Sequence, residues 1–596
     1  MPGTPDKRRS RAPTWLLALL TLCVPVAILG TAEAVLRAFG YGGHEPLFVT
    51  SDAPSGHLGV NPLVATRFVA DPSRPPLTAI DRTFFRVVRP EGGLRIVVQG
   101  GSSAAGFPYG RWGALAGMLQ NRLRLALPDR EVEVIGTAMS AVNSYTLLDL
   151  ADEIVSIAPD AVLIYSGHNE YLGILGVGST YALSGSRAIK LAFLRVRDLA
   201  LFQALQRLRG ALRGTATGDE EAAVDAPGTL MALVVGERNI PFDSDLYHRG
   251  LDQFRSNLSD LLVRYADAGI AVFLATLASN ERDHPPFASG LRQETAAADY
   301  ARRLARAEAA FREGALDEAL ADVDEALAVD DSSADAHFLR GRILDLRDDG
   351  AAAHRAYQSA ADRDLLRFRA PKAMNDIVRE LAHTFGATLV DVQAAFTEAS
   401  PRGIIGEELM LEHLHPNAEG YFLLADAFYD ALRTSPRVTD FVVDVPDEQA
   451  RRDSPITEME RAAAAQRVAV LRANWPFVPD ATEVAEPKLT PQSRPERIGL
   501  RMEQGKISWT AAMDRALVYY EARKNWTEAA RVAVNVAETY AHSPAKSAHA
   551  GRLLLASGRT DAAVVYLERA VALAPRDAEY REMLSEAHRT ASGVGE

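Results

Sequence analysis

The sequence predicts an α/β fold. It reads as a doubly wound parallel sheet with an inserted helical repeat hairpin pair, a C-terminal all-α repeat region, and an N-terminal transmembrane helix in front. Three observations predict it. Short aliphatic runs alternate with helical stretches between residues 94 and 390, small residues recur with a period of 34 in two places, and a basic N-terminus leads into nineteen uncharged residues, 14–32.

At the N-terminus, Lys7, Arg8, Arg9 and Arg11 precede a run just long enough to cross a bilayer as a helix. The basic flank predicts residues 1–13 in the cytoplasm and everything after residue 32 outside it. A cleaved signal peptide is the rival, because Ala32-Glu33-Ala34 resembles a cleavage site, but the run is longer than a usual signal core. The single cysteine, Cys23, lies inside the run behind the bulky Leu22, a poor lipoprotein signal. One cysteine allows neither a disulfide within the chain nor a cysteine-based metal site. Residues 33–90 read as an irregular lead-in with scattered proline and glycine.

Strand candidates follow at 94–99 (LRIVVQ), 132–135, 160–165 (DAVLIY), 269–276 (GIAVFLAT) and 387–390, with helices near 111–127 and 145–157. This alternation predicts a parallel sheet, in which ligands bind beyond the carboxyl ends of the strands. Residues 188–212 read as one basic amphipathic helix, lying on a membrane or packed on the domain, and 215–229 as an exposed linker.

The period of 34 appears first where Ala319, Val323 and Ala326 recur as Ala353, Tyr357 and Ala360, with Gly341 between the sets. It appears again around Gly551, Gly558, Ala563, Leu567, Ala570 and Pro575, with Ala529 at the same offset before Ala563. Ordinary helical hairpins would show small residues at such positions, and the spacing also resembles tetratricopeptide repeats. The first pair, residues 300–364, interrupts the α/β domain, whose parts are 91–299 and 365–436. Residues 437–509 supply helices and a proline-rich linker at 475–495 that sets off the second repeat region, 510–596.

Length and composition bound the function. A chain of 596 residues holds roughly three to four domains. With 47% hydrophobic and 24% charged residues it is ordinary for a globular protein. A net charge of -13 without a basic stripe argues against a nucleic-acid partner.

Three blocks carry chemistry. The first, Gly100-Gly101-Ser102-Ser103-Ala104-Ala105-Gly106, puts a serine on a glycine-flanked turn after a buried strand and before a helix whose N–H groups face it. Glycine-serine turns are also common without function. The second, Gly167-His168-Asn169-Glu170-Tyr171, places a neutral amide after DAVLIY, either to meet a developing oxyanion or to cap a turn. In the third, Glu412-His413-Leu414-His415-Pro416-Asn417, a carboxylate three residues before a histidine can orient its ring. The alternatives there are a solvated acid beside a surface histidine and a His413/His415 metal pair, for which no third ligand block is apparent.

In this order the blocks resemble the SGNH (GDSL-like) hydrolase superfamily, whose blocks read GDSxxxG, GxND and DxxH. The resemblance covers about residues 94–432 without the repeats. It implies Ser102 as nucleophile, with Gly101 in place of the aspartate and Gly106 kept. It further implies His415 as base, Glu412 as its carboxylate in place of aspartate, and Glu170 in place of the GxND aspartate. The oxyanion hole would comprise the N–H groups of Ser102 and Ala138 and the side chain of Asn169, where Ala138, within residues 136–141 (GTAMSA), replaces the family's glycine. The implied chemistry is acyl transfer through an acyl-serine, with no cofactor and no metal.

The expectation is therefore hydrolysis of acyl esters, with O-acyl groups on cell-surface polysaccharide as substrate. An O-acyltransferase modifying an exported polysaccharide is the alternative, and a repeat scaffold with a residual catalytic domain is the third reading. The expected partners are an acyl-ester substrate and a protein bound by the repeats. The expected location is the bacterial inner membrane, single-pass, with the catalytic and repeat domains in the periplasm.

Overall fold

Three short strands, β1 (Phe48–Val49), β2 (His57–Val60) and β3 (Phe84–Arg86), pair antiparallel into a small sheet. The lead-in is therefore less irregular than expected: Phe85 is buried and meets Phe48 edge to face at 5.1 Å. The longer aliphatic runs form β4 (Leu94–Gly100), β5 (Val132–Gly136), β6 (Ala161–Tyr165), β7 (Ala271–Ala275) and β8 (Thr388–Val390). These make one parallel sheet in the order β5-β4-β6-β7-β8. Every residue of β4, β6 and β7 is buried. Helices cover both faces, so β6 and β7 read as continuous apolar runs, and β4 is broken only by the buried Arg95 and Gln99. The strand order reverses between β4 and β6, and that switch point is where open α/β sheets place their ligands.

The computed structural model describes residues 14–592 except Asp52, 69–79, 81–82, 180–185, 215–234, Gln293, 439–440 and 480–484. The basic tail at 1–13 and the linker at 215–229 lie outside the described residues. The chain divides into two compact units, Met1–Glu45 with Ser186–Ala226, and Pro46–Gly185 with Pro227–Glu596.

In the first unit a helix spans Thr14–Ala38, with Pro25 inside it. It runs past the apolar stretch through Glu33 and Arg37, and among the described residues no helix is long and apolar enough to cross a membrane. The expected single helix over 188–212 is two, Arg187–Val196 and Ala200–Gly214. The break leaves N–H groups at the second helix's start without intrahelical acceptors, and the Glu33 carboxylate accepts those of Ala200 (3.0 Å) and Leu201 (2.8 Å).

In the second unit, the helices Ala297–Glu313, Leu316–Val329, Ala334–Leu346 and Gly350–Arg363 stand between β7 and β8. Ala319, Val323, Ala326, Ala353, Tyr357 and Ala360 are all buried, the small ones letting paired helices approach. Beyond the sheet, five helices from Trp509–Ala522 to Ala578–Ala591 form the C-terminal all-helical region, which fits repeats. The helix Leu115–Ala126, beside β5, is joined to this region by Arg124, which lies 3.0 Å from the buried Glu538 carboxylate, and by Gln120, which donates to it at 3.1 Å. The proline-rich stretch thus does not set the repeats apart as a separate unit.

Candidate active site

The site begins where β4 stops. A Cβ at Gly100 would stand 2.1 Å from the Tyr165 carbonyl oxygen and 2.5 Å from Ala104 Cβ, so only glycine lets the chain turn between β4 and β6 there. Consecutive turns follow. The N–H of Ala105 donates to Gly101 O (3.0 Å) and that of Phe107 to Ser102 O (3.1 Å). Gly106 and Gly110 take left-handed φ values of 84° and 72°, which a helix cannot continue through. The helix expected over 111–127 consequently begins at Leu115. Ser102 is held by turns and does not sit at a helix N-terminus.

Beyond β5 the chain stays beside β4, with Thr137 N–H donating to Val98 O (2.9 Å) and Met139 N–H to Gly100 O (3.1 Å). Ala138 lies between these two anchored residues. Beyond β6, Asn169 sits on a turn fixed by its neighbour. The Glu170 carboxylate is fully buried and accepts from Ser144 N (3.1 Å), Ser144 Oγ (2.7 Å) and Gln253 Nε2 (2.5 Å). The Asn169 Nδ2 group lies 3.0 Å from where a Cβ on Gly101 would be, directly before Ser102. Among the described residues, no acceptor takes the N–H of Ser102, the N–H of Ala138 or the Asn169 amide. Three free donors thus adjoin the end of β4.

The histidine loop is pinched shut by Leu411 N–H donating to His415 O (2.8 Å) and Asn417 N–H to Leu409 O (2.9 Å). Asn417 then caps the helix Ala418–Thr434 by accepting from Glu419 N and Gly420 N, 3.0 Å each. Within the loop, His415 Nε2 lies 2.7 Å from Ser102 Oγ, and its Nδ1 contacts Glu412 Oε1. The Phe107 ring lies 4.6 Å from the His415 ring. Ser102 is half-buried, His415 is buried, and Glu412 is inaccessible. Residues 313 positions apart are thereby brought into a serine–histidine–carboxylate line.

The three-residue spacing that singles out His415 does not keep Glu412 to that ring alone. The second oxygen of Glu412 contacts His413 Nδ1, so both histidines share the carboxylate. His413 is also inaccessible, enclosed by Phe287 at 5.1 Å, Phe477 at 5.5 Å, His284 at 5.8 Å and Phe368 at 6.0 Å between ring centroids. The stretch read as a bare linker supplies Phe477 to this enclosure. The signal was there in aromatic residues on proline-rich stretches, His284-Pro285-Pro286-Phe287 and Trp475-Pro476-Phe477, which solvated loops rarely carry.

Burial opposes charge on Glu412, but the two imidazoles overcome it and hold the carboxyl well below its ordinary range. Burial pushes His413 down despite the carboxylate, His168 down to about 3, and His284 down to about 2 with the help of Arg369. His168 accepts the Ala370 N–H at Nδ1 (3.2 Å), which suits a neutral ring. The ligating atoms of Glu412, His413 and His415 lie within 4.8 Å of one another. Both histidines turn Nδ1 to that same carboxylate, so these atoms are engaged with each other as donor and acceptor.

No protein-family model matches the sequence, and none of the curated proteins does. Solved structures similar to it include an acetyl xylan esterase (15% identity, 57% of this chain and 100% of that one, TM-score 0.26) and a GDSL-like lipase from Bacteroides thetaiotaomicron (12% identity, 56% and 86%, TM-score 0.24). The tetratricopeptide-repeat domain of P58(IPK) is also similar, at 12% identity over 58% of this chain and 76% of that one, with a TM-score of 0.15.

Proposed function

We propose that the chain is a serine esterase that hydrolyses acyl esters. The observation that carries this is Ser102 Oγ at 2.7 Å from His415 Nε2, with the buried Glu412 on the far side of the ring. In this reading His415 takes the Ser102 proton as the oxygen attacks an ester carbonyl. The free N–H groups of Ser102 and Ala138 and the Asn169 amide stabilise the tetrahedral oxyanion. The intermediate collapses, the alcohol leaves with the proton from His415, and water activated by the same ring hydrolyses the acyl-serine. The substrate we assign is an O-acyl group on cell-surface polysaccharide, and the repeats would bind a protein partner.

Labelling with a fluorophosphonate, followed by mapping of the modified residue, tests the core of this. We expect the label on Ser102, its complete loss in Ser102→Ala, and retention in Ser103→Ala, whose buried hydroxyl faces Leu414 O. Ester hydrolysis by Ser102→Ala at the wild-type rate would end the proposal. In this reading the catalytic unit works outside the cytoplasm, with the basic flank at residues 7–11 as the support for it. A reporter fused after Glu596 and active only in the cytoplasm would contradict that placement.

A further inference from the structure

We infer that His413 is a positioning residue for the proposed catalytic pair, and that a glutamate at position 412 serves because its longer side chain lets one carboxylate engage two imidazoles. This rests on the serine-esterase reading and adds a residue that the serine–histidine–carboxylate line does not require. Glu412 Oε1 meets His415 Nδ1 while Oε2 meets His413 Nδ1, and the same carboxylate accepts Leu414 N–H at 3.3 Å and His415 N–H at 3.2 Å. Four donors thus fix both oxygens in a site without solvent contact.

The tautomer of His413 follows from its surroundings. An ionised carboxylate only accepts, so the proton is on Nδ1. The remaining nitrogen, Nε2, is buried and has no hydrogen-bond partner among the described residues, as suits a neutral ring facing aromatic groups. The enclosure draws on three distant stretches: His284 and Phe287 after β7, Phe368 after the helical insertion, and Phe477 beyond the helix Glu458–Arg472. Arg369 braces it by donating to the carbonyls of Asn280 (2.9 Å) and His284 (3.1 Å). The charged and titratable groups facing His413 are Glu412 and His415 on its own loop, His284 and Arg369 on the neighbouring loops, and His168 after β6.

The consequence has a definite sign. A hydrogen bond from His413 draws on the Glu412 charge and leaves less of it to stabilise a protonated His415. Removing that donor strengthens the hold of Glu412 on the proton of His415. The base then stays protonated to higher pH, and the carboxylate keeps its place on three donors instead of four, less firmly than before.

The test uses the full chain and a chromogenic ester. In His413→Phe the acid limb of kcat/KM should move to higher pH and kcat should fall by about 10- to 100-fold, the usual cost of losing such a supporting partner. His413→Gln keeps an N–H donor and should restore much of both. Proton NMR of the wild type should show two strongly downfield imidazole N–H resonances, and His413→Phe should lose one. An unmoved acid limb in His413→Phe, or His413→Gln as impaired as His413→Phe, would overturn the inference. If His413→Phe does not fold, a single downfield resonance in the wild type overturns it just as well. Fluorophosphonate labelling of Ser102 separates this from the esterase reading, since it tests the nucleophile whatever His413 does.

Discussion

Two buried glutamates in this molecule are each held by two basic side chains, imidazoles on separate oxygens in one case and guanidinium groups on a single oxygen in the other. Glu412 lies between His413 and His415, and Glu538 lies between Arg124 and Arg569, at 3.0 and 2.8 Å. Both carboxylates are buried, and in both the partners pull the carboxyl below its ordinary range against the cost of burial, Glu538 to about 2. The partners differ in what they can do with a proton. Guanidinium keeps its charge at every pH the protein meets, so the Arg124–Glu538–Arg569 cluster is a fixed joint between the sheet's flanking helix and the repeats. Imidazole can take up and release a proton, so under the proposed function the pair around Glu412 can move one as well as hold position. Basic side chains around one carboxylate hold position in both places, and under the proposed function their chemistry decides whether that position also moves a proton.

The sharpest way to break this comparison is to neutralise each carboxylate at constant shape. In Glu412→Gln the amide offers one acceptor and one donor where the carboxylate offered two acceptors. Both rings present Nδ1–H to it, so one must surrender that proton or turn away, and the charge that stabilises an imidazolium is gone. We expect kcat to fall by about 10⁴-fold, as in serine hydrolases whose histidine is left in the wrong tautomer, while Ser102 stays in place. A loss under tenfold, measured as single-turnover deacylation, would show that Glu412 is structural like Glu538.

Glu538→Gln should do the converse. Both guanidinium groups meet Glu538 Oε1, whose place the amide oxygen can take, but the negative charge that compensates theirs is gone, which costs about 3–5 kcal/mol. Urea unfolding should show this as a lower midpoint. The kcat of the folded fraction should be unchanged, because Glu538 sits at the helix Leu115–Ala126 and not on the loops that hold Ser102 and His415. A parallel fall in kcat would mean that the repeats brace the site, and the division of labour between the two glutamates would fail.

The two regions also differed in how far the sequence disclosed them. The sheet was legible because burial on both faces wrote β6 and β7 as apolar runs and β4 as one broken only by Arg95 and Gln99, and because Ser102 and Asn169 directly follow strands while the histidine loop directly precedes a helix. Repeat helices were legible through small residues at fixed intervals. Sharing of Glu412 was not, since spacing singles out His415 at three residues, whereas a neighbour at one residue reaches the same carboxylate once the loop is pinched between Leu409 and Asn417. Nor was the joint at Glu538, whose partner Arg124 is more than four hundred residues away and carries no local pattern. The helix start at Leu115 and the break at residues 197–199 were missed for local reasons, left-handed glycines in one case and capping by Glu33 from another helix in the other.

The smallest expected effect concerns pH and separates the two carboxylates without touching the site. Folding holds Glu538 at about 2, against 4.5 for the free side chain. A carboxyl depressed in the folded state contributes stability that is fully present above its unfolded value and is lost as pH falls through its folded one. Between pH 5 and pH 3 the unfolded chain takes up a proton at this position and the folded chain does not, which removes about 2 kcal/mol of stability. The measurement is the difference between wild type and Glu538→Gln, because the other acidic groups titrate alike in both. Their gap in unfolding free energy should be widest at neutral pH and shrink by about 2 kcal/mol on going to pH 3, where wild type has lost the larger part of what the variant never had. A gap constant from pH 5 to pH 3 would mean that Glu538 is not ionised between its arginines, and the parallel with Glu412 would then rest on shape alone.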